Sequence, residues 1–148
     1  MSRIVSFRGL LAHGAQERIS LGTIRGQTGY RIIKFQLLTW VAGHSGSETE
    51  STVKIYKIEQ DIIDSVVNFS DNTLLGAGVL GYDADISIYP PTRIVTFDSE
   101  IFNQDIFVTH SNLHTDVAPV NYYLELEQMP LASDEATVAT LKDIRNND

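Results

Sequence analysis

The sequence predicts a mainly β fold: an antiparallel β-sandwich, jelly-roll-like, with a short C-terminal α-helix. Three observations carry this. Short strand-like runs recur along the chain and are separated by turn residues, with no helical patterns between them of the kind βαβ units need. The run from Asn121 to Met129 alternates apolar and polar residues, placing Tyr122, Leu124 and Leu126 on one face and Tyr123, Glu125 and Glu127 on the other. That run stops at Pro130, and Ser133, Asp134 and Glu135 then supply the cap and first-turn acids of a helix.

Taken in order, Ile4 to Leu11 is apolar with β-branched content and ends in the turn-forming His13-Gly14-Ala15-Gln16. Arg18 to Leu21 is a short strand meeting the glycines at 22, 26 and 29. Tyr30 to Trp40 is the longest apolar run. Ile32 and Ile33 stand side by side within it, so the alternation changes phase there and predicts a β-bulge in a central strand. Val41 to Ser51 has the composition of a surface loop, and Thr52 to Glu59 resumes the strand pattern with Val53 and Ile55 on one face. Asp61 to Phe69 reads as strand or irregular chain, while Ser70-Asp71 offers a cap for a short helix through Thr73, Leu74 and Leu75. Ile86 to Tyr89 ends at Pro90-Pro91, which cannot donate ladder hydrogen bonds. Arg93 to Phe97 and Asp105 to Thr109 are the next strands, and His110 to Asp116 is a polar connection to the last one.

The helix, from about Ser133 to Arg145, has an apolar stripe of Val138, Leu141 and Ile144. Such a stripe is narrow, and an isolated helix of about a dozen residues is marginal in water, so it has to dock. Its own sheet and an adjacent subunit are both open as docking surfaces. The expected organisation is therefore a β body over residues 1–130 and a helical tail over 131–148.

A chain of 148 residues suits one domain, and 43% hydrophobic with 20% charged residues is ordinary globular composition. The net charge of −8 disfavours phosphate-backbone binding, which needs clustered Lys and Arg, so nucleic acid is not an expected partner. Six basic residues, Arg3, Arg8, Arg18, Arg25, Arg31 and Lys34, nevertheless fall in the first 34 positions, opposite in sign to the acidic second half. The absence of cysteine excludes disulfides, thiolate zinc sites and cysteine nucleophiles. No apolar run reaches the roughly 18 residues of a membrane span and the N-terminus lacks a signal-peptide pattern, so a soluble compartment is expected.

None of the chemistry-bearing clusters matches its motif. Gly43-His44-Ser45-Gly46-Ser47 approaches a nucleophile elbow but has Ser47 in place of the closing glycine and no helix after it. His110 and His114 have the spacing of helical zinc ligands but sit in THSNLHTD, a loop-like segment, and read with His13 and His44 as exposed loop histidines. Asp83 with Asp85, and Asp98 with Glu100, lack the remainder of a calcium loop. Glycines 22, 26 and 29 have no following Lys-Ser or Lys-Thr and are turn glycines. No catalytic, metal or cofactor site is assigned. Trp40, Tyr82 and Tyr89 would form a sugar-stacking platform if they converged on one surface, although core or edge packing is the simpler account of them.

The segments GAQERISLGTIRGQTGYRIIKFQ, FDSEIFNQDIF and YYLELEQMPLASDEATVATLKDIRN resemble small virion-associated proteins of marine bacteriophages. The resemblance spans much of the chain and carries no functional motif. It implies a non-enzymatic structural component of the virion, such as a decoration or minor capsid protein, assembled in the host cytoplasm. It also implies a β-sandwich or jelly-roll fold and symmetric oligomers. The expected partners are further copies of the chain and a major capsid protein. The expected contact residues are Arg3, Phe7 and Arg8 near the N-terminus and Val138, Leu141 and Ile144 on the tail. A carbohydrate-binding or host-attachment module is the alternative.

Overall fold

A computed structural model describes residues 3–22, 27–40, 49–82, 92–115 and 117–131. Eight strands form among them: β1 (Arg3–Leu11), β2 (Gln16–Ile19), β3 (Thr28–Thr39), β4 (Thr49–Tyr56), β5 (Leu74–Tyr82), β6 (Arg93–Thr96), β7 (Ile106–Asn112) and β8 (Val120–Pro130). The described residues contain no helix. The C-terminal helix expected over 133–145 lies outside them, as do the Ile86–Tyr89 strand and the loop at 43–47.

The strands make two antiparallel sheets, one ordered β1-β8-β3 and the other β2-β7-β4-β5-β6. Alternation explains how they face each other. Leu124 and Leu126 of β8 and Ile32 of β3 turn inward from the smaller sheet, to meet Val53 and Ile55 of β4 and Ile106 and Val108 of β7 from the larger one, in a single buried cluster. Each large side chain buried this way contributes roughly 1.5–3 kcal/mol. The inward set on β8 is the one its period-two pattern predicts.

The chain passes from sheet to sheet at a corner between β1 and β2. There Ala15 N–H bonds the Ala12 carbonyl at 3.1 Å. Gly14, at φ 76°, takes the left-handed conformation that glycine adopts at no steric cost.

Three expectations are corrected. β3 is not central: it pairs with β8 along its length and lies at the edge of its sheet. Its apolar run is long because Ile33 and Leu38 are exposed on the outer side. The expected bulge is present, as a register shift between Ile32 and Lys34. The helix anticipated at Thr73–Leu75 is a turn at Thr73 and strand from Leu74: Asp71 Oδ1 accepts from Thr73 N–H at 2.8 Å, an Asx turn that feeds directly into β5. The third correction concerns His110 to Asn112, which continue β7 as buried strand rather than forming a polar loop.

Residues 57–73 are irregular and cover the outer face of the larger sheet. Thr52, Lys54 and Tyr56 point away from the core yet are buried beneath this cover. Lys54 Nζ donates to Asp64 Oδ1 at 2.8 Å and to the Val66 carbonyl at 2.6 Å, and Ser65 bonds Ser111 at 2.9 Å. Lys57 pairs with Glu100 at 2.8 Å. Burial works against the Lys54 charge, but the hydrogen bonds it donates to Asp64 and Tyr56, with their charge, outweigh it and raise the ammonium above its ordinary value.

Candidate functional site

The outer face of the β1-β8-β3 sheet is laid out by register. Ser6, Glu125 and Lys34 form one cross-strand row, and Ile4, Glu127 and Arg31 another. This half of the face is charged and internally paired, with Lys34–Glu125 at 3.6 Å and Arg31–Glu127 at 2.8 Å. The next rows differ in character. Arg8, Tyr123 and Gln36 make one, and Leu10, Asn121 and Leu38 the other.

An open cleft of about 1040 Å³ is lined by these two rows, by Gly9, Phe35, Leu37 and Tyr122, which face inward from the same strands, and by Thr92 and Ile94 from the β6 region. Leu10 is 50% and Leu38 60% exposed, and Trp40, just past the end of β3, is 54% exposed. Asn121 spends one amide hydrogen on the Thr39 carbonyl at 3.3 Å. Arg8 is exposed beside Tyr123. The surface combines apolar walls, an aromatic ring, two amides and a guanidinium, the mixture found where a protein or a polar ligand docks.

The sequence-selected residues distribute unevenly over this surface. Arg3 and Arg8 are exposed on β1, while Phe7 turns inward and packs against the core cluster. Trp40 lies at the surface. Tyr89, the Tyr82 side chain, Val138, Leu141 and Ile144 fall outside the described residues, so no platform joining Trp40 to the two tyrosines can be drawn from them. Glu100 is engaged by Lys57, and Asp83 and Asp85 also lie outside the described residues. No group of three or more potential metal ligands gathers among the described residues.

A second constellation, which sequence reasoning missed, lies inside. The inward positions of β4 and β7 turn polar at one end of the core: Thr49 and Ser51 continue the face of Val53 and Ile55, and His110 and Asn112 continue that of Ile106 and Val108. His110 Nδ1 meets the Leu11 carbonyl at 3.0 Å and Nε2 meets Ser51 Oγ at 2.8 Å. Thr49 and Ser51 share a hydrogen bond, and Asn112 Nδ2 donates to Thr49 Oγ1 at 3.0 Å and to the Ala118 carbonyl at 2.8 Å.

The direction of donation follows. A carbonyl can only accept, so Nδ1 carries the proton and Nε2 accepts from Ser51; Ser51 then accepts from Thr49, and Thr49 from Asn112. Burial pushes the His110 imidazole below its ordinary value, which suits this neutral form. A serine bonded to a histidine is the core of a nucleophile–base pair. Here both side chains are fully buried, and neither lines the cleft on the sheet face. The network acts instead as a clamp on the corner between the sheets. Gly14 N–H donates to the His110 carbonyl at 2.8 Å, His110 N–H to the Ala15 carbonyl at 3.1 Å, and Asn112 N–H to His13 Nδ1 at 2.9 Å. The signal that would have found it is a polar residue every second position in continuation of an apolar strand face.

No family model and no curated protein matches the sequence. Among solved structures, the chain is similar to a protein of Bacillus endospore appendages, described as a family of disulfide-linked pili, at 10% identity and a TM-score of 0.37, covering 89% of this chain and 92% of that one. It is also similar to the virus-like particle of the extra small virus of the giant freshwater prawn Macrobrachium rosenbergii, at 11% identity and a TM-score of 0.27, covering 86% and 79%. Similarity at this level transfers no role.

Proposed function

We propose that the chain is a non-enzymatic structural protein of a virion, a decoration or minor capsid component assembled in the host cytoplasm. It acts through contacts with copies of itself and with a major capsid protein. The same reading makes its two sheets a jelly-roll β-sandwich. In support, the first strand pairs with the last and the second with the seventh, giving β1-β8-β3 opposite β2-β7-β4-β5. Winding a long antiparallel ribbon around a core produces that order. β6 departs from the pattern by pairing with β5. Such folds serve capsids and lectins alike, so the surface has to choose between roles.

The observation that carries the assembly reading is the apolar end of the small sheet, where Leu10 and Leu38, at least half exposed, flank Asn121. Apolar residues gathered on an otherwise polar face mark a contact surface. The tail stripe of Val138, Leu141 and Ile144 would add a second contact. The test is the solution mass of Leu10→Asp/Leu38→Asp: oligomers of the native chain should dissociate to folded monomers, measured by analytical ultracentrifugation. A native chain that stays monomeric at every concentration would refute the reading.

One observation favours a second reading. Trp40 is exposed, and the cleft gathers Tyr123, Arg8, Gln36 and Asn121. An aromatic face with amide and guanidinium donors suits sugar rings. Selective glycan binding that is lost in Trp40→Ala or Tyr123→Ala would establish this attachment role instead.

A further inference from the structure

We infer that the free edge of β1 pairs antiparallel with β1 of a second copy about a two-fold axis at Phe7, joining two small sheets into one six-stranded sheet. The inference rests on the assembly reading and specifies its interface. Four strands lie at sheet edges among the described residues. β2 and β6 are only four residues long, and β3 is interrupted by its bulge and bridged at Tyr30 to Phe102. β1 differs from all three. It runs nine residues in unbroken register from Arg3↔Gln128 to Leu11↔Val120, with neither proline nor bulge, and β8 is its only ladder partner among the described residues. An edge of this kind leaves alternate N–H and C=O groups unpaired and is a template for another strand.

The sequence of β1 then selects the partner and the register. In an antiparallel pair, residues directly opposite share a face. Ile4, Ser6, Arg8 and Leu10 all face outward, so the axis must pass through a residue. An axis at Arg8 would set two guanidiniums against each other, which is unfavourable. An axis at Ser6 would leave Leu10 without a partner on the second strand. The axis at Phe7 sets Ile4 against Leu10 of the second copy, twice by symmetry, and Ser6 against Arg8. Ile4 is 59% and Leu10 50% exposed, so both apolar side chains gain cover.

Charge supports the same register. Ser6 lies beside Glu125 on β8, and strands are spaced about 4.8 Å apart. Arg8 of the second copy, opposite the short Ser6, therefore extends across it toward the Glu125 carboxylate. On the inner face Val5 comes opposite Gly9, a position without a side chain where the Tyr122 ring and the Glu17 carboxylate of the same chain already pack. The pattern of this strand is thus complementary to itself.

The chain lacks cysteine, so introduced thiols report without background. Ser6→Cys/Arg8→Cys should oxidise to a covalent dimer of twice the monomer mass, because each thiol lies opposite its counterpart on the second copy at a separation a disulfide spans. Lys34→Cys/Gln36→Cys, on the other edge of the sheet, should not cross-link between chains. Ile4→Lys/Leu10→Lys should halve the sedimenting mass while far-ultraviolet circular dichroism stays that of a β fold. A native oligomer that cross-links at β3 or at neither edge would overturn the β1 pairing and leave assembly standing. A native monomer would overturn both.

Discussion

At the scale of single residues, His110 shows how a polar side chain is held inside a β core. Its two ring nitrogens have two partners, the Leu11 carbonyl and Ser51, and a proton on Nε2 would meet a hydroxyl already donating to it. Its folded value is depressed from 6.5, so the unfolded chain takes up the proton first. Stability from this residue is therefore complete above 6.5 and is lost as pH falls from there through the lower folded value. Urea midpoints should fall across that acid range in the native chain, and His110→Gln, which does not titrate, should flatten that part of the profile. A profile unchanged by the substitution would show that other groups set the acid limb. Ser51→Ala should cost about 1–3 kcal/mol by leaving Nε2 buried without a donor, read from the same midpoints.

At the scale of elements, the cover formed by residues 57–73 depends on one buried cation. The Lys54 side chain is 3% exposed, whereas that of Asp64 is 48% exposed. Water screens the carboxylate, so the pair contributes less than a fully buried one. Asp64→Ala should destabilise the fold by about 1 kcal/mol, since the Val66 carbonyl still accepts from the ammonium. Lys54→Met should cost less than breaking a fully buried pair, because the Asp64 carboxylate left without its partner is half exposed and water solvates it. The decisive measurement is their order in thermal melting: a Lys54→Met variant much less stable than Asp64→Ala would show that the ammonium anchors the cover by more than its pairing. The alternation in this region was legible only in part. Val53 and Ile55 read correctly as one buried face, but nothing in Thr52, Lys54 and Tyr56 announces that an irregular segment will bury the other.

At the scale of the whole molecule, the eight described strands, the last ending at Pro130, gather their inward side chains into one buried cluster. Deleting residues 133–148 should accordingly leave a β body with a cooperative melt, while lowering the assembled mass if the tail stripe docks on a neighbouring copy. A truncated chain that assembles to full size would remove Val138, Leu141 and Ile144 from the interface. Different parts of this architecture were differently legible. β8 was clear because one buried and one outer face imprint a period of two on the sequence. β3 was read with its bulge but placed in mid-sheet, because exposed Ile33 and Leu38 look like core in a linear chain.

The sequence by itself determined the mainly antiparallel β character, the bulge after Ile32, the inward face of β8 and the absence of thiol chemistry. Each of these is a local consequence of side-chain alternation, phase or composition. Tertiary structure decided what depends on distant neighbours. The partnership of β1 with β8 joins the two ends of the described chain. Burial of His110 against Leu11 and Ser51 turns an apparent loop histidine into a clamp at the corner between sheets. The gathering of Leu10, Asn121 and Leu38 into one row needs three strands in fixed register, and register between strands far apart in sequence is set by the packing of the whole core.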